Sequence, residues 1–80
     1  MNTKFQIEMT ACQLLMAAQA LRQSAGEAYD DQRYVSAIAA YKRAASYYGL
    51  LGMERTAVAT GNLARMIDAE IVAASEEEVA

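Results

Sequence analysis

The stretch AGEAYDDQRYVSAIAAYKRAASYY, residues 25–48, decides how this chain is read. Within it Ala37, Tyr41, Ala44 and Tyr48 step by four, three and four residues, the spacing that aligns side chains along one side of an α-helix. Asp30 and Asp31 break the pattern and read as a turn and N-cap, so two helices are predicted to meet there. Working outward, the alternation recurs on both sides. Ile7, Ala11, Leu14, Ala18, Leu21, Ala25 and Ala28 form a seam before the turn. Met53, Ala57, Thr60, Ala64, Ile67, Ile71 and Ala74 form another after Gly49-Leu50-Leu51-Gly52, where paired glycines permit the positive φ of a helix C-cap. Sustained heptad spacing with short connections predicts an all-α, antiparallel three-helix bundle with Ala/Tyr seams.

The predicted first helix is capped by Asn2 or Thr3 and runs about 25 residues to Ala28, with Gly26 weakening its last turn. Its N-terminal half is expected to protrude. The second covers Gln32 to Leu50, and the third opens at Thr56, or at Met53 with Glu54, and ends near Ser75. Three successive glutamates, Glu76 to Glu78, oppose the partial negative charge at a helix C-terminus. The expected organisation is therefore one helical domain over residues 1–75 and an acidic, frayed tail over 76–80. Composition agrees: the apolar share is 55%, but alanine, the best helix former, supplies 18 residues, and there is no proline.

Composition also removes functions. The chain has no histidine and one cysteine, Cys12, so the usual Cys/His zinc sites and His-assisted nucleophiles cannot be assembled from one chain. No metal and no cofactor is expected. Asp30, Asp31 and Glu27 are close in sequence, but acids ahead of a helix are ordinarily caps, and an enzyme is not expected. A net charge of −3 disfavours direct binding to nucleic acid. The uncharged run from Met9 to Leu21 is too short to span a bilayer, which takes about 20 apolar residues. With no secretion signal in MNTKFQIEMT, a cytoplasmic location is expected.

From Ala25 the spacing Tyr34, Ala37-Ile38, Tyr41, Ala44-Ala45, Tyr47-Tyr48 resembles the centre of the microtubule-interacting and trafficking (MIT) domain, without a gap over residues 25–48. It resembles a single tetratricopeptide repeat less closely, through Gly26, Tyr29, Tyr34, Ala37-Ile38, Tyr41 and Ala44. The MIT resemblance implies a non-catalytic three-helix module that holds an amphipathic helix or extended peptide in a groove between its helices.

Two surfaces stand apart from the seams. Phe5, Met9, Cys12 and Met16 make a second apolar stripe on the first helix, opposite Ile7 and Leu14. Methionine adapts to varied partners, and such a stripe is a candidate interface for self-association or for a partner. On the second helix Arg43, Tyr47 and Leu50 fall together, and Arg and Tyr are frequent interface anchors. The sequence therefore points to a non-enzymatic, stand-alone protein-binding protein that regulates or blocks a partner by occupying a surface. Phage and bacterial inhibitors include proteins of this size. The alternatives are an MIT-like peptide-groove adaptor and a structural, self-assembling homo-oligomer. A homodimer in contact through Phe5, Met9, Cys12 and Met16 is expected.

Overall fold

The computed structural model describes residues 10–79, and within them the chain is all-α. Three helices follow one another: α1 (Ala11–Asp30), α2 (Tyr34–Leu50) and α3 (Glu54–Val79).

Local chemistry sets the start of α1. The Thr10 hydroxyl accepts from the Gln13 backbone N–H at 3.1 Å, and the Thr10 N–H donates to Gln13 Oε1 at 3.0 Å. This reciprocal capping box satisfies two donors that a helix N-terminus leaves unpaired, and Thr10 itself is extended. The described helix thus begins at Ala11 and is 20 residues long. The cap predicted at Asn2 or Thr3, and Ile7 of the predicted seam, lie outside the described residues.

Both connections use the same device. At the end of α1 the Arg33 N–H donates to the Ala28 carbonyl at 2.8 Å and the Gln32 N–H to that of Tyr29 at 2.9 Å. At the end of α2 the Met53 N–H donates to Tyr48 at 3.0 Å and the Gly52 N–H to Gly49 at 3.0 Å. These are Schellman closures, with Gln32 (φ 64°) and Gly52 (φ 78°) in the left-handed position. Gly52 is one of the paired glycines predicted to close this helix, and Gly49 stays inside it. The other turn corrects the prediction: Asp30 closes α1, Asp31 is its C-cap, and Arg33 precedes α2 without a side-chain cap. The acids end one helix instead of opening the next.

The seams hold the fold together. Ala18, Ala25 and Ala28 of α1, Ala37, Ala44 and Tyr48 of α2, and Thr60, Ala64 and Ile67 of α3 are buried. One cluster joins Ala18 to Ala44 and Tyr48, with Leu15, Leu21, Tyr47, Leu51 and Ala57 packed against it. The other joins Ala28, Ala37 and Ile67, flanked by Tyr34, Ile38, Tyr41 and Ile71. Alanines bring the helices close but bury little apolar area, so the larger stabilisation comes from side chains such as Tyr48 and Ile67, about 1.5–3 kcal/mol for a large apolar side chain. The buried Thr60 hydroxyl donates to the Thr56 carbonyl at 2.7 Å, which lets a polar residue occupy the seam.

Helices α1 and α3 both lie along α2, while their own backbones approach each other at few points. This leaves an open trough between them. Among the described residues α3 is the longest helix: it continues through Glu76, Glu77 and Glu78 to Val79, past the predicted end near Ser75, while most of the part of α1 predicted to protrude lies outside the described residues. Glutamate is a good helix former, so the acidic run continues the helix despite its unfavourable position on the dipole.

Candidate protein-binding trough

Three adjoining hollows run along the gap between α1 and α3. The first, about 320 Å³, is lined by Gln19, Arg22 and Gln23 of α1, Tyr41 of α2 and Leu63 of α3. The second, about 220 Å³, shares Tyr41 and Leu63 and adds Tyr29, Met66, Ile67 and Glu70. The third, about 440 Å³, shares Tyr29 and Glu70 and reaches Tyr34, Ile71, Ala74 and Ser75 on the part of α3 nearer its end. The shared residues make one trough, with Tyr41 as its floor.

Its two walls differ in chemistry. On α1 they are amides and one cation, and Arg22 forms no ion pair among the described residues. On α3 the stretch facing them is apolar, with Leu63 36% and Met66 63% exposed, and the wall turns polar farther along at Glu70 and Ser75. Gly26 keeps the α1 wall low beside the floor, where the nearest atom to an added Cβ would be Tyr41 Oη at 3.8 Å.

A polar clasp crosses the trough. Tyr29 Oη donates to the Glu70 carboxylate, at 2.9 Å and 3.1 Å from its two oxygens, and ties the end of α1 to α3. The Tyr29 ring leans on Tyr34 with centroids 5.6 Å apart. The hydrogen bond to Glu70, and then its negative charge, raise the Tyr29 pKa above the ordinary 10.0, because a phenolate would face a carboxylate.

The predicted site residues are dispersed. Cys12 and Met16 lie exposed on α1, away from the buried seam, whereas Phe5 and Met9 lie outside the described residues. On α2 the second predicted group is divided. Tyr47 packs against the Ala18–Tyr48 cluster, Leu50 is 72% exposed, and Arg43 lines a shallow hollow with Leu21, Ser36, Ala39 and Ala40. Tyr47 is tied to the core first. Of the trough residues, Tyr41 and Ile67 belong to the predicted seams, whereas Leu63 and Met66 are large apolar residues beside, not on, the α3 seam, the one sequence signal for this surface. Nothing in the sequence announces the pairing of Tyr29 with Glu70, which lie 41 positions apart.

Among the described residues no group of three His, Cys, Asp or Glu side chains could hold a metal ion, and no helix is long and apolar enough to cross a membrane. No family model, no curated protein and no solved structure matches this chain.

Proposed function

We propose that the chain is a non-enzymatic cytoplasmic protein that binds another protein and regulates or blocks it by occupying its surface, with the trough between α1 and α3 as the contact. The observation that carries this reading is the exposure of Leu63 and Met66 beside the Tyr41 floor, facing across the gap an Arg22 that forms no ion pair among the described residues. Large apolar side chains left in water along a groove are a contact surface in want of a partner. An amphipathic helix fits it, with apolar residues toward α3 and a carboxylate toward Arg22. Such a peptide-groove role is also what the MIT resemblance implies. The phage or bacterial inhibitor reading belongs to the same class of action.

The test is titration of isotope-labelled protein with amphipathic helical peptides bearing carboxylates along one edge. Amide shifts should move together around Arg22, Tyr41, Leu63 and Met66, and Leu63→Glu with Met66→Glu should abolish them while the helical signal remains. A peptide panel that moves none of these amides would overturn the reading. Self-association through the α1 stripe is a second reading, favoured by Met16, which is 63% exposed beside an exposed Cys12. Met16→Glu would then give a monomer.

A further inference from the structure

Of the residues that line the three hollows of the trough, the charged ones are Arg22, in the first, and Glu70, shared by the second and third. Both are exposed, and neither forms an ion pair among the described residues. Their separation is read from either wall. On α1, Tyr29, whose hydroxyl donates to the Glu70 carboxylate at 2.9 Å, lies seven residues after Arg22. On α3, Glu70 lies seven residues after Leu63, which lines the first hollow together with Arg22. Seven residues are two helical turns, about 10 Å. The interval between the two charges is filled by the exposed Leu63 and Met66 above the Tyr41 floor.

We propose that the trough selects its helix by charge register: the bound segment sets a carboxylate at Arg22 and, seven residues away on the same face, a lysine or arginine at Glu70, with apolar side chains between them against Leu63 and Met66. The inference rests on the trough being the peptide site. Positions i, i+3, i+4 and i+7 lie along one side of a helix, so a single segment presents one charge, two apolar residues and the opposite charge in the spacing that the walls require. A helix also satisfies its own backbone groups, which the apolar Leu63 and Met66 could not do for an extended peptide. Tyr29 is a positioning residue here. Its ring rests on Tyr34, with centroids 5.6 Å apart, and its hydroxyl holds the Glu70 carboxylate at the trough. A carboxylate accepts several hydrogen bonds, so the clasp leaves capacity for a cation. Because the two charges of the trough differ in sign, the end of the segment that bears its acid fixes the direction in which it lies.

Three helical peptides test it, each with two leucines between charged positions seven apart: one bears glutamate and lysine, one lysine at both positions, one glutamate at both. Affinities are read from amide shifts of the labelled chain, with circular dichroism to verify the fold of each variant. The unmodified chain should bind the mixed peptide about fivefold more tightly than either other, although its net charge of −3 favours the lysine peptide. Arg22→Glu should turn the preference to the lysine peptide and Glu70→Lys to the glutamate peptide, and added salt should level all of these differences. Tyr29→Phe should narrow the preference of the mixed peptide over the glutamate peptide, which Glu70 sets, and leave its preference over the lysine peptide, which Arg22 sets. Equal affinity for the three peptides, or variants that keep the unmodified chain's ranking, overturns the charge register while the trough remains an apolar site. Peptides that move no amide around Tyr41, Leu63 and Met66 overturn both readings.

Discussion

Gln32 holds a left-handed backbone conformation, φ 64°, that Gly52 adopts at the equivalent place after α2. For a residue with a Cβ this region costs roughly 1 kcal/mol or more, and glycine enters it freely. Gln32→Gly should therefore stabilise the protein by about 0.5–1 kcal/mol, net of the added freedom of the unfolded chain, and raise the midpoint of urea unfolding. A lowered midpoint would mean that Gln32 makes a compensating contact. Tyr29 supplies the second test at this scale. Its folded pKa lies above the unfolded value near 10.0, so the folded state binds its proton more tightly. Its stabilising contribution is full below pH 10 and is lost as pH rises through the folded pKa. Tyr29→Phe should thus be less stable than the parent at neutral pH and lose that difference above pH 10, measured as paired urea midpoints. A difference that persists at high pH would exclude the Glu70 clasp as its source.

Among the elements, α1 shows how a local motif marks a boundary inside a long pattern. The alternation of apolar residues runs through Thr10 without a break, yet Thr10 is extended and forms with Gln13 a capping box that sets the described start at Ala11. The Thr-x-x-Gln spacing was visible in the sequence and names the boundary more sharply than periodicity does. Thr10→Ala should cost about 0.5–2 kcal/mol by freeing the Gln13 N–H, with a matching rise in hydrogen exchange over the first turn. Unchanged exchange there would show that α1 begins elsewhere. The α2 boundary departs from the predicted start at Gln32 for a related reason. Aspartate favours both caps and turns, and here Asp31 follows the closure of α1 and pairs with Arg33 at 3.4 Å, well exposed on both sides. An exposed pair of this kind contributes little, so the turn is held by its backbone hydrogen bonds.

On the scale of the molecule, the close approach of α2 to its neighbours depends on side chains that are nearly absent. Ala44 is fully buried in the cluster with Ala18 and Tyr48, leaving no room for a branched residue. Ala44→Leu should destabilise the protein by about 1–3 kcal/mol, seen as a lower unfolding midpoint with the helical signal retained below it. A neutral effect would mean that α1 and α2 are packed more loosely at this level. The same alanines explain the trough: α2 draws both outer helices in along its seam, and α1 and α3 then diverge around Tyr41 instead of closing over it.

The sequence by itself determined the helices and their inner faces. Periodicity is a local property, and the buried residues Ala18, Ala25, Ala28, Ala37, Ala44, Tyr48, Thr60, Ala64 and Ile67 are all members of the three predicted seams. Gly52 was legible as a cap for the same reason, since its conformational freedom is intrinsic. Tertiary structure alone decided which of the remaining faces meet. The clasp of Tyr29 on Glu70, the placing of Arg22 opposite Leu63, and the turning of Tyr47 into the core depend on how two helices are set against a third. A helix repeats its faces along its own axis but carries no record of its distance from another helix, and the width of the trough is such a distance.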